Sequence, residues 1–294
     1  MMVAGTLSQT RRTAKRKSCG ESDGAAARLA LRLAAMETPS RWPLTALGDE
    51  LALAARFLTR LPLGRSIATS PGSLAQAGWA FPVVGLGVGV IGAIAAAIAL
   101  RLNFPSLVVA LIAVGVTVLT TGGLHEDGLA DTADGLGGGS DREEKLAIMR
   151  DSRSGAYGVL ALIFSVGLRA AALAALADIG HIAAGLIAAH AAARGFLPLA
   201  MRGMVPARDD GLGAAAGRPE AAVAWGAAAV GAVVALIALG LTAGVGALVL
   251  AAAGTALVAF LAQRQLGGHT GDVLGALEQT AEILVMLAAA AWAT

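Results

Sequence analysis

Between residues 125 and 139 the chain reads His125-Glu-Asp-Gly-Leu-Ala-Asp-Thr-Ala-Asp-Gly-Leu-Gly-Gly-Gly, spacing Asp127, Asp131 and Asp134 four and three residues apart. On a helix of 3.6 residues per turn these carboxylates share one face. Three like charges side by side repel and call for a cation, and oxygen-only ligands open to water suit Mg²⁺ or Mn²⁺. Such an ion typically bridges carboxylates to a substrate phosphate. Most charge runs are solvated loops, but these acids directly follow an apolar stretch and alternate with Gly and Ala, without the Lys and Ser of an ordinary solvated loop. The ligand spacing and closing Glu of an EF-hand are absent.

After the glycines, Ser140-Asp-Arg-Glu143 has the form of a capping box and predicts a short helix running to Arg150-Asp-Ser-Arg153. That helix returns two fixed cations to the aspartates. Arginine binds phosphate oxygens through a planar fork, and Gly155 and Gly158 allow a ligand close to the backbone. The competing reading pairs Arg150 and Arg153 with local acids or lipid head groups. Carboxylates for a metal and arginines for phosphate together point to phosphoryl transfer.

Two further polar segments accompany this one. Arg202-Gly-Met-Val-Pro-Ala-Arg208-Asp-Asp-Gly211 is rich in turn formers and carries both signs of charge, as either a second substrate site or a connector. Gly267-Gly-His269-Thr-Gly-Asp272 leads into an apolar run that contains Glu278, Gln279 and Glu282, with Asp272, Gln279 and Glu282 on one side of the wheel. Glu282 falls about 15 Å beyond Asp272 along a helix, near a bilayer centre. Ionisable groups at that depth pair or act, and the similarly deep Arg169 is the natural partner for Glu282 or Glu278. His181 and His190 read as interfacial or packed residues without a role.

The elements that position these residues are membrane helices. The 294 residues are 56% hydrophobic and 14% charged, with a mean hydropathy of +0.72, more apolar side chain than a soluble core accommodates. The apolar mass is Ala, Leu, Val, Ile and Gly, small residues that let helices approach closely in lipid. The fold class is therefore all-α, a polytopic integral membrane bundle in contact with the lipid bilayer. The single cysteine, Cys19, excludes an internal disulfide or a thiolate metal site. A net charge of +2 with scattered arginines argues against nucleic acid.

Residues 1–24 read as a disordered basic tail, or an over-extended start, and the polar run Ser18 to Asp23 argues against a signal peptide. Residues 25–61 read as an amphipathic segment on the membrane surface. A span needs roughly 20 apolar residues, and residues 62–294 offer about seven candidates, to within one: 80–100, 105–123, 156–177, 181–200, 221–240, 243–262 and 273–293. With a cytoplasmic N-terminus, the loops 124–155, 201–220 and 263–272 carry Arg142, Lys145, Arg150, Arg153, Arg202, Arg208, Arg218 and Arg264, whereas the opposite loops carry only Arg101. That bias predicts cytoplasmic active-site loops.

Several of these segments resemble, in order, the adenosylcobinamide-GDP ribazoletransferase (cobalamin synthase) family. They are Phe57-Leu-Thr-Arg-Leu-Pro62, Phe81-Pro-Val-Val-Gly85, His125 to Gly135, Ile148-Met-Arg-Asp-Ser-Arg-Ser-Gly-Ala-Tyr-Gly158 and Gly267 to Ala276, and together they extend from Phe57 to the C-terminus. The resemblance implies a Mg²⁺-dependent transferase of the bacterial inner membrane. In that family a ribose hydroxyl of α-ribazole, or of its 5′-phosphate, attacks the cobinamide-bound phosphoryl of adenosylcobinamide-GDP and expels GMP. It implies Asp127, Asp131 and Asp134 on Mg²⁺ and diphosphate, one of them a candidate base, with Arg150 and Arg153 on the phosphates. His125 either orients a ligand carboxylate, shares proton transfer or makes a structural hydrogen bond. Asp151, Gly155, His269, Thr270 and Asp272 are further candidates for substrate contact.

Glu126 departs from the family pattern, as an extra ligand or a residue facing water, and the first fifty or so residues have no counterpart. A homo-oligomer is compatible with the sequence. The rival readings are a CDP-alcohol phosphotransferase, whose motif expects Ala-Arg where this chain has Ala130-Asp131, and a cation transporter, which wants its acids inside spans.

Overall fold

The computed structural model describes residues 44–63, 72–151, 153–176 and 178–292. The expected basic tail and residues 25–43 of the expected surface segment lie outside the described residues. The chain divides into two compact units, Met1–Leu47 and Gly48–Thr294. Of the first, only the opening turn of α1 (Leu44–Leu58) is described, and all that follows concerns the second.

As expected, the described chain is helical, its one β feature being an isolated bridge between Pro206 and His269. Short turns at Ser73–Gln76 and Ala77–Ala80 run into α2 (Phe81–Arg101), which starts with Pro82 in its first turn, where a missing N–H costs nothing. Then follow α3 (Ser106–Thr121), α4 (Leu124–Gly138), α5 (Arg142–Ile148), α6 (Ala156–Ala174) and α7 (Ile179–Gly203). A single turn, α8 (Gly211–Ala215), precedes α9 (Ala221–Leu239), α10 (Leu241–Leu266) and α11 (Gly271–Trp292).

Six helices among the described residues are long and apolar enough to cross a membrane: the one opening at Ser73 and continuing through α2, then α6, α7, α9, α10 and α11. A seventh crossing results if α3 and α4, bent by 91° at their junction, are taken together. The expected count of seven, to within one, holds. α7 is the hub, packed on α2, α9 and α11, with Ala188, Ala189, Ala191 and Ala193 fully buried. These side chains carry almost no bulk, so backbones approach closely enough for dispersion to hold helices together where lipid removes the hydrophobic drive. α10 leaves Val249, Leu257 and Phe260 outward, as a lipid-facing helix does.

The acidic stretch is helical, not a loop as expected. Gly122 and Gly123 both adopt positive φ (69° and 68°), a conformation that costs other residues about 1–2 kcal/mol each. The pair ends α3 and turns the chain into α4 across the bundle. α4 has 15 residues and three aspartates on one face, too short and too polar to be a span by itself. The next cap falls one residue later than the sequence pattern suggests. Asp141 accepts from the Glu144 N–H at 2.9 Å, while Glu144 accepts from the N–H (2.8 Å) and hydroxyl (2.7 Å) of Ser140. α5 stops at Ile148 and does not reach Arg150 to Arg153.

Candidate active site on the acidic helix

α4 presents two faces of opposite character. On one, Asp127 is exposed and Asp131 half-buried, and neither carboxylate has a hydrogen bond or ion pair among the described residues. Asp272, at the start of α11, joins them because the two helices almost touch. A Cβ on Gly128 would lie 2.7 Å from the Asp272 carbonyl oxygen, and one on Gly275 would lie 3.1 Å from the Gly128 Cα. Only glycine permits this approach. Thr270 caps α11 by accepting from the Val273 N–H at 3.1 Å and donates to Asp272 Oδ2 at 3.1 Å. Burial, followed by the charges of Asp127, Asp272 and Asp134, pushes the Asp131 carboxyl up to about 6.

The cation beside these acids is Arg208, which the sequence offered only as part of a segment read as either a second substrate site or a connector. The strand-like bridge places it: Ala207 N–H donates to the His269 carbonyl at 2.8 Å, and His269 N–H donates to that of Val205 at 2.9 Å. Arg208 then reaches Asp272 at 3.3 Å and Asp210 at 3.7 Å, and Asp210 pairs with Arg150 at 2.8 Å. The buried Arg208 Nη1 has no partner. Its turn-rich, doubly charged segment was the available signal, but nothing in the spacing foretold the bridge to His269. The His269 side chain is buried, with burial lowering its pKa. The His269 backbone holds the segment before Arg208, while its ring Nδ1 is buried with no partner among the described residues.

Other expected residues divide. Asp134 is buried, and its carboxylate accepts from the N–H groups of Gly155 (2.7 Å) and Gly158 (2.8 Å). It thus caps α6, whose N-terminal dipole favours an anion. Gly155 is that helix's N-cap. Asp134 is separated by this bonding from the partnerless pair, although all three aspartates share one stripe. Arg153 is 87% exposed at its side chain and pairs with Asp151 at 2.6 Å, bonds that hold the Asp151 carboxyl at about 2. Arg150 is half-exposed and joined to the site through Asp210.

The other face of α4 enters a buried charge network. Glu126 is neither a ligand nor a water-facing residue: Arg169 of α6 binds it at 3.0 Å and Glu282 at 2.7 Å. The expected partnership of Arg169 with Glu282 is therefore present. Arg194 of α7, which sequence reasoning passed over, meets Glu278 at 2.5 Å and Glu282 at 3.5 Å, and His190 meets Glu282 at 2.8 Å. His190, expected to be merely packed, is a member of this network. Ser165 donates to Gln279 at 2.7 Å. His190, Glu278 and Glu282 lie close enough to hold a metal, but two guanidiniums already balance their charge. His181 is exposed and pairs with Asp178 at 2.8 Å.

His125 links the two faces. Arg194 Nη2 lies 3.4 Å from its Nδ1. The Glu278 carboxylate lies 3.8 Å from the same nitrogen, so His125 stands between a cation and an anion of the inner network. His125 also lines a cavity of about 330 Å³ together with Asp127, Arg208 and Asp272. Asp127 and Asp131, one helical turn apart and free of hydrogen bonds among the described residues, are donors of the type that a hard divalent cation takes.

Proteins from three bacteria, each named adenosylcobinamide-GDP ribazoletransferase, resemble this chain along most of its length. That of Bradyrhizobium diazoefficiens is 51% identical over 243 residues, covering 83% of this chain and 94% of its own. Those of Mesorhizobium japonicum and Rhizobium johnstonii are 47% and 44% identical, covering 82% of this chain in each case and 92% and 96% of their own. No solved structure matches. The family model described as cobalamin-5-phosphate synthase matches residues 50–290, and the chain belongs to that family.

Proposed function

We propose that this protein is an adenosylcobinamide-GDP ribazoletransferase, joining adenosylcobinamide-GDP to α-ribazole or its 5′-phosphate with release of GMP. The observation that carries the reading is the pair Asp127 and Asp131, one turn apart and without hydrogen bond or ion pair among the described residues, the first of them lining a cavity, in a chain of this family. A ribose hydroxyl forms the new O–P bond to the cobinamide-bound phosphorus. The P–O bond to GMP breaks, and the proton passes to a carboxylate of the pair. Asp127 and Asp131 would hold Mg²⁺, whose chemistry is to neutralise charge on the diphosphate. Arg208, whose Nη1 has no partner among the described residues, and the ring of His125 would donate to phosphate oxygens.

Asp134 supports the pair from behind by tying α4 to α6. Asp272 orients Arg208. Arg150 acts at the outer edge through Asp210, and Arg153 with Asp151 is available to the incoming nucleotide.

The excess of Lys and Arg on one set of loops supports an inner-membrane protein with α4 facing the cytoplasm, where nucleotides are made. Reporter fusions at Gly138 and Leu212 should report the same, cytoplasmic side. The activity test is GMP release by membranes containing the protein. Release that needs adenosylcobinamide-GDP, α-ribazole and Mg²⁺ together is the expected result. No release from folded, inserted protein overturns the reading.

A further inference from the structure

The cavity beside Asp127 is lined mostly by apolar side chains, among them Phe57, Leu58, Leu74, Phe81, Leu197 and Met201, with Asp127, Arg208 and Asp272 as its charged members and the buried His125 as a further polar one. A ligand for this space has an apolar, flat body and a polar end, because a buried N–H or C=O without a partner costs about 1–3 kcal/mol.

The two substrates of the proposed reaction differ in this respect. The corrin of adenosylcobinamide-GDP, with its amide side chains, exceeds the 330 Å³ available, and guanine carries donors and acceptors around its ring that the apolar walls leave unanswered. The base of α-ribazole is a benzimidazole bearing only methyl groups, attached to a hydroxyl-rich ribose. An open neighbouring groove of about 580 Å³ is far more polar, lined by Arg142, Arg150 and Arg208 together with Glu143, Asp209 and Asp210.

We propose, resting on the transferase reading, that this cavity is the acceptor subsite. The benzimidazole enters between Phe57 and Phe81, against Leu197 and Met201, and the ribose stays with its hydroxyls beside Asp127. The cobinamide and GDP portions remain outside. Leu74 and Met201 then determine which lower-ligand bases are accepted. Aromatic walls suit a flat base through stacking as well as burial.

The test measures binding of radiolabelled α-ribazole to the detergent-purified protein, with no turnover required. Free dimethylbenzimidazole should displace the label, whereas GMP should not. Leu74→Trp, which adds bulk to the cavity lining at a half-buried position, should weaken α-ribazole binding at least ~10-fold, the scale of a steric mismatch in an apolar pocket. It should leave the KM for adenosylcobinamide-GDP within about twofold, as befits a wall that touches only one substrate. Met201→Ala should admit a riboside with a larger, naphthalene-fused base.

Displacement by GMP and not by dimethylbenzimidazole overturns the assignment, as does a Leu74→Trp enzyme in which both KM values rise together. Should that variant not fold, the displacement measurement on the unaltered protein decides alone. A protein that binds α-ribazole in this way yet releases no GMP refutes the transferase reading and leaves the subsite standing.

Discussion

Two faces of one short helix carry acids of almost identical intrinsic chemistry and opposite fate. Glu126 points into the bundle and is matched by Arg169, which also meets Glu282. Its neighbour in sequence, Asp127, lines the cavity and has no hydrogen bond or ion pair among the described residues. A buried carboxylate without a cation is costly enough to change protonation state or unfold its surroundings, so the inner face comes with its cations built in. The outer face, partly open to water, tolerates uncompensated acids and is left able to receive a cation. The presence of an acid says little; the supply of a fixed counter-charge separates structure from chemistry.

The largest effect should come from breaking the inner face. Arg169→Met leaves Glu126 and Glu282 buried beside a hydrophobe, and loss of about 3–5 kcal/mol is expected, read as a collapse in detergent thermal stability. Unchanged stability would show that the network is not structural, and the contrast between faces would fail. On the outer face, Asp127→Asn should lower turnover by ~10²-fold or more, about 2.7 kcal/mol on the barrier, with the melting temperature unmoved. Wild-type GMP release from this variant would remove the metal-site argument.

Asp134→Asn sharpens the comparison, because this residue lies on the outer stripe yet is bonded like an inner one. An amide cannot accept both N–H groups through oxygen, so stability should fall by about 1–2 kcal/mol, with a smaller loss of turnover than in Asp127→Asn. The reverse order would place Asp134 among the ligands instead of the caps. The smallest effect concerns pH. With Asp131 raised to about 6, its carboxylate is largely ionised at pH 7 and protonated below pH 6, where a proton competes with the metal. The Mg²⁺ concentration for half-maximal GMP release should therefore rise by up to ~10-fold per pH unit below 6. A half-saturation value that is flat through this range would take Asp131 out of the metal site.

Much of the arrangement is legible in the order of residues alone. Apolar runs of sufficient length locate the spans, because a bilayer leaves the backbone no alternative to helix. The spacing of Asp127, Asp131 and Asp134 locates the chemistry, and the depth of Arg169 and Glu282 announces their pairing. Glu126 is not legible, since whether a helix residue faces water or core depends on what packs against it. Asp134 is not either, as a shared stripe says nothing of the helix N-terminus that waits at its far end.

The sequence by itself determined the class of fold and an approximate number of apolar segments, and it pointed to the acidic stretch as the place to look, all consequences of local composition and period. Only tertiary structure decided the membership of the site. Asp272 and Arg208 lie far from Asp127 along the chain, and they arrive because glycines let α4 and α11 touch and because the His269 backbone holds the segment before Arg208. Such meetings depend on shape at a few ångströms between distant segments, a quantity that periodicity along one segment does not carry.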